Sequence, residues 1–119
     1  MNQALQLLLE RTSCPRLQQP APDAAQLELM FRAAMRAPDH AQLRPWRFLV
    51  IEGQGLQALG DLYATALLHS TPDASAEQLK RARSMPLRAP MIVVLITRLQ
   101  SHPKVPEYEQ LIAAGCAGH

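Results

Sequence analysis

Apolar residues recur along the chain at two different spacings, and prolines separate the blocks. In residues 3–11, Leu5, Leu8 and Leu9 fall at helical spacing and Leu7 widens the stripe. Thr12, Ser13, Cys14 and Pro15 interrupt it. Residues 16–22 read as extended, because Pro20 and Pro22 each disfavour helix in the residue before them. Asp23 with Gln26 has capping-box spacing. Leu27, Met30, Phe31 and Ala34 then predict a helix to about Arg36, buried along that face, and Pro38 stops it. Asp39 with Gln42 predicts one further capped turn before Pro45.

The period changes at Trp46. Residues 46–51, WRFLVI, predict a strand from their aromatic and β-branched content, and Glu52-Gly53 ends it. Leu56, Leu59, Leu62, Tyr63, Ala66 and Leu67 mark a second long amphipathic helix. Thr71-Pro72-Asp73 predicts the start of another, running to about Ser84. Pro86 and Pro90 flank a short link. MIVVLIT, residues 91–97, is apolar on both faces, as expected of a central strand covered on both sides. After Pro103 and Pro106, a last helix from Glu107 carries Tyr108, Leu111, Ile112 and Cys116 at helical spacing and reaches His119 without a stop signal.

Two strands among four or five helices predict an α/β piece whose sheet is short of neighbours, since a two-stranded sheet is marginal by itself. The expectation is a fragment, or one half of an assembly. Both strands should lie in one sheet with helices on both faces. The last helix should leave much of its apolar face exposed in an isolated monomer.

Composition narrows the class. A chain of 119 residues with 48% hydrophobic and 18% charged residues predicts one globular domain. A formal net charge of +2 rules out a strongly cationic domain, so nucleic acid is not implied by charge alone. The longest apolar run, 91–96, is too short to span a bilayer, and the first residues lack the basic start of a leader, so the cytoplasm is the default expectation. Cys14 and Cys116 make no disulfide scaffold.

Candidate chemistry concentrates in loops. Arg11, Arg16, Arg36 and Arg44 lie near segment ends, and Thr12 and Ser13 add hydroxyls. Guanidinium forks beside short hydroxyls suit a phosphate. The competing reading of Arg11 is a cation favoured at a helix C-terminus. Asp39-His40 reads either as an acid–base pair or as an N-cap followed by an exposed imidazole, and the pattern favours the second. The four histidines are isolated, which leaves a zinc site unsupported. Cys14, beside two arginines, has no evident base and reads as a bystander thiol. Neither a dinucleotide-binding glycine fingerprint nor a P-loop occurs.

The ordered combination of segments resembles the nitroreductase family of flavin enzymes, in its compact single-domain branch. LLLERTSCPR (7–16) resembles that family's N-terminal Arg-Arg-Ser-x-x-Arg signature. RAPDH (36–40) followed by RPWRF (44–48) is similar to its second signature. Arg88-Ala89-Pro90 before an apolar strand, HPKVP (102–106) and AGCA (114–117) are similar too, so the likeness runs from about Leu5 to Ala117. The resemblance implies an α+β fold that binds FMN at a homodimer interface. It implies hydride transfer from NADH or NADPH to a nitroaromatic, quinone or similar electrophile. Carried over by position, Arg11, Thr12 and Ser13 hold the FMN phosphate and ribityl end, Arg36 reaches the partner subunit's flavin, and His40 contacts the flavin of its own subunit. Thr12 replaces the usual second arginine, which implies weaker phosphate binding. The resemblance places Arg11, Thr12, Ser13 and His40 on one lip of the fold. Family domains continue past this point with a glycine-rich Trp-Arg stretch and further strands. Residues 1–119 therefore correspond to the N-terminal portion of a single nitroreductase-like domain. The alternative is a truncated, non-catalytic remnant that retains no flavin.

Overall fold

Asp23 and Ser75 start two helices by the same device. The Asp23 carboxylate accepts the Gln26 N–H at 2.8 Å, and Gln26 Oε1 accepts the Asp23 N–H at 3.0 Å. Ser75 and Gln78 repeat the exchange at 3.1 and 2.8 Å. Each box satisfies two backbone donors that the first turn leaves unpaired. In the computed structural model, which describes residues 2–119, these boxes open α2 (Ala24–Ala34) and α4 (Ala76–Ser84). The other helices are α1 (Gln3–Glu10), α3 (Gln54–Ser70) and α5 (Glu107–Gly118). Single 3-10 turns span His40–Gln42 and Met85–Arg88. The restart expected at Thr71-Pro72-Asp73 is instead a turn closed by the Ala74 N–H on the Thr71 carbonyl at 3.0 Å. The complete capping box lies at Ser75, and it sets the helix start.

β1 (Trp46–Glu52) and β2 (Met91–Thr97) pair antiparallel, with Trp46 opposite Thr97 and Glu52 opposite Met91. Their shared sheet is as expected. β2 has β1 as its one strand neighbour among the described residues, so it lacks the second neighbour, as expected of a sheet short of strands. Its apolar residues on both sides are therefore only partly covered.

One face of the ribbon carries the core. Trp46 is buried with Ala113, Ala114 and Ala117 of α5, and Ala34, Ala37, Phe48 and Leu95 pack around them. Phe31 of α2 meets Phe48 with ring centroids 5.2 Å apart, in the tilted geometry that aromatic quadrupoles favour. The expected burial of Met30 does not occur: it is 49% exposed, while Leu27, Phe31 and Ala34 are half-buried. The opposite face is barer than expected. α3 comes close to it at Ile51, beside Gly55, and Leu49 stays 50% exposed. α3, α4 and Met85–Arg88 pack together around Leu56, Gly60, Ala64 and Pro86.

α5 turns its small residues inward. Tyr108, Leu111 and Ile112 are 64%, 51% and 63% exposed, as their spacing predicted for an isolated chain. α1 lies outside the core, and residues 2–20 are exposed throughout. Among the described residues, no helix is long and apolar enough to cross a membrane.

Candidate functional site

The turn between α2 and β1 carries His40. Ala41, Gln42 and Arg44 all have positive φ, at 61°, 51° and 49°. This conformation is unfavourable for residues with a Cβ, so the turn needs external restraint. Asp39 supplies part of it, and not by the helix cap expected from Gln42. Its Oδ2 accepts from both the backbone N–H and Nη1–H of Arg44, each at 2.9 Å. The Asp39 side chain is 4% exposed and Arg44's 40%. The Arg44 guanidinium carbon lies 6.0 Å from the Trp46 ring centroid, which links the turn to the core.

Helix α5 restrains the other side. Gln110 is 1% exposed. Its Oε1 accepts the Gln100 N–H at 3.0 Å, and its Nε2 donates to the carbonyls of Gln100 (2.8 Å) and Val105 (3.2 Å). Gln100 Nε2 in turn donates to the Leu43 carbonyl at 3.3 Å. One residue before Gln110, Glu109 Oε2 lies 2.9 Å from His40 Nδ1. Asp39 and His40 are therefore not a pair. Each has its own partner, Arg44 and Glu109. Sequence reasoning missed Glu109, which lies 69 residues from His40 with no motif linking them.

Arg11 and Ser13 meet in the loop after α1, where Arg11 Nη1 donates to Ser13 Oγ at 3.4 Å. Thr12 is exposed beside them. The following segment is tethered by the Leu17 N–H to the Arg88 carbonyl at 2.7 Å. No hydrogen bond or ion pair among the described residues joins Arg11, Thr12 or Ser13 to His40. Arg36 is exposed just past α2, with its backbone N–H on the Ala33 carbonyl at 2.9 Å. The arginine–carboxylate pairs among the described residues are Arg44–Asp39 and Arg83–Asp61, so Arg11 and Arg36 have no carboxylate partner there. The Arg11 guanidinium, without a carboxylate partner, and the hydroxyls of Thr12 and Ser13 are donors of the kind that fit the phosphate of a flavin mononucleotide. No group of three potential metal ligands occurs among the described residues. An apolar cavity of about 360 Å³ lies elsewhere, among Met30, Phe31, Phe48, Leu95 and Cys116.

Comparison with known proteins agrees with the sequence resemblance. The model of the nitroreductase family matches residues 8–119. The chain is 41% identical over 114 residues to the Escherichia coli K12 protein named "Putative NAD(P)H nitroreductase YdjA", covering 96% of this chain and 61% of that one. It is 43% identical over 115 residues to a Haemophilus influenzae protein named "Putative NAD(P)H nitroreductase", with the same coverage of 96% and 61%. The chain thus spans 61% of the length of these curated relatives. A solved structure of a nitroreductase with bound FMN from Desulfitobacterium hafniense DCB-2 matches with a TM-score of 0.66 at 21% identity, covering 99% of this chain and 61% of that one. A nitroreductase family protein from Clostridium novyi NT matches with a TM-score of 0.66 at 25% identity, covering 96% and 58%. The α+β fold is shared across these structures, and the family model covers all but the first seven residues: the chain belongs to the nitroreductase family.

Proposed function

We propose that the chain is the N-terminal portion of a subunit of an FMN-dependent oxidoreductase that uses NADH or NADPH, with the flavin held between two subunits. Arg11, Thr12 and Ser13 bind the phosphate and ribityl end, Arg36 reaches the flavin of the second copy, and His40 contacts the flavin of its own. The carrying observation is the Arg11–Ser13 contact, which gathers a guanidinium and a hydroxyl in an exposed loop without a carboxylate to neutralise them. Bound FMN supplies two-electron chemistry between the nicotinamide and an electrophile such as a nitroaromatic or quinone. The protein contributes orientation and charge. Arg11 offsets the phosphate's negative charge, Arg36 brings positive charge to the flavin of the second copy, and the clasped turn presents His40 without a search through rotamers.

One observation favours a second reading, in which this chain alone retains no flavin. Residues 2–20 are exposed throughout, so a ligand at the phosphate loop meets no buried wall from this chain. The deciding experiment titrates FMN into the purified chain at rising protein concentration and follows flavin absorbance and mass by sedimentation. The proposal expects flavin to sediment with a dimer, and Arg11→Ala and Arg36→Ala each to weaken its retention. A dimer that carries no flavin, or retention indifferent to both arginines, overturns it. A colourless monomer at every concentration supports the second reading.

A further inference from the structure

We propose that Glu109 is a positioning residue for His40: it fixes the imidazole in the Nδ1–H tautomer and leaves Nε2 as the ring nitrogen available to a ligand. The contact at 2.9 Å joins Nδ1 to a carboxylate oxygen. An ionised carboxylate offers only acceptors, so the bond forms only when Nδ1 carries the hydrogen. Nε2 has no partner among the described residues, and the side chain is 56% exposed. The ring is therefore held by one nitrogen and open at the other.

The surrounding structure makes this a built arrangement. Glu109 lies in the first turn of α5, where the helix dipole favours a negative side chain. The next residue, Gln110, is buried and holds two backbone segments, which fixes the stretch of helix that carries Glu109. Through Gln100, the same helix also holds the Leu43 carbonyl on the far side of the His40 turn. Asp39 and Arg44 close that turn from within. α5 thus grips the turn at its carbonyl and at its imidazole, and ring orientation and tautomer are set before any ligand arrives. That the ligand is the flavin rests on the function proposed above. The tautomer does not.

The test has two readouts. Long-range proton–nitrogen spectra of the nitrogen-15-labelled chain, at alkaline pH where imidazoles are neutral, report the tautomer of each histidine, and His40→Gln identifies its signals. The expected result is the Nδ1–H form for His40, and in Glu109→Ala a shift toward the Nε2–H form that free imidazoles prefer. The Nε2–H form in the unaltered chain overturns the proposal, even if Glu109→Ala fails to fold. So does an unshifted tautomer in a folded Glu109→Ala. FMN titration of the same proteins gives the second readout. Glu109→Ala is expected to bind about tenfold more weakly, as when about a tenth of the free protein presents the ring in the competent orientation and tautomer. A tautomer that responds to Glu109 while FMN affinity stays constant upholds the positioning role and overturns the flavin as its ligand.

Discussion

Asp39 Oδ2 accepts two hydrogen bonds from Arg44, one from the backbone N–H and one from Nη1–H, each at 2.9 Å. This pair closes a turn in which Ala41, Gln42 and Arg44 all have positive φ. Asp39→Ala removes the acceptor from both donors and is expected to destabilise the chain by about 1.5–3 kcal/mol, the range for hydrogen bonds to a charged group. Asp39→Asn keeps an acceptor oxygen and should lose less. Urea unfolding followed by the fluorescence of Trp46 measures both, and equal losses would contradict the clasp.

Gln110 is the buried polar side chain that joins α5 to the 100–105 loop. Gln110→Leu preserves approximate size and strands the Gln100 N–H and the carbonyls of Gln100 and Val105. The expected loss is about 2–4 kcal/mol, less than the sum for fully buried groups because Gln100 is exposed and water reaches it. Amide exchange at Gln100 should quicken in the same variant. Unchanged stability would mean that the loop is held by other contacts.

Two glycines test packing in opposite directions. A Cβ at Gly60 collides with the backbone carbonyl of Arg83, which cannot move without shifting α4. Gly60→Ala is therefore expected to destabilise by about 1–3 kcal/mol despite its better helix propensity. At Gly115 a Cβ meets nothing within 4 Å. Gly115→Ala should stabilise by about 0.5–1 kcal/mol. Midpoints of urea unfolding that move in the same direction for both would refute the account.

Leu111 and Ile112 lie on the outward stripe of α5, 51% and 63% exposed. An apolar stripe of this kind drives association in water. The chain is expected to sediment as larger species as its concentration rises, and Ile112→Glu should move the distribution toward monomer. Identical profiles for the two proteins would place the association elsewhere.

Much of the fold was legible because its signals are local. Asp23 with Gln26 set the start of α2, proline and glycine bounded the strands, and aromatic and β-branched runs marked Trp46–Glu52 and Met91–Thr97. Local signals also misled. Pro72 suggested a helix start, and the capping box at Ser75 prevailed. Asp39 carried a cap's residue type and spacing, but its carboxylate was taken by Arg44. The doubly apolar β2 reports a demand for burial on both sides without naming what meets it.

The sequence by itself determined the element order, the family resemblance and the arginine- and hydroxyl-rich character of the loop after α1. These follow from residue type and near-neighbour spacing, which act over one or two helical turns. Tertiary structure alone decided the antiparallel register of the ribbon, the inward turn of the α5 alanines and the partner of His40. Each of these is a contact between residues far apart in the chain. The His40–Glu109 bond spans 69 positions, and it exists only because Trp46 and the α5 alanines pack together and bring the first turn of that helix against the turn that carries the imidazole.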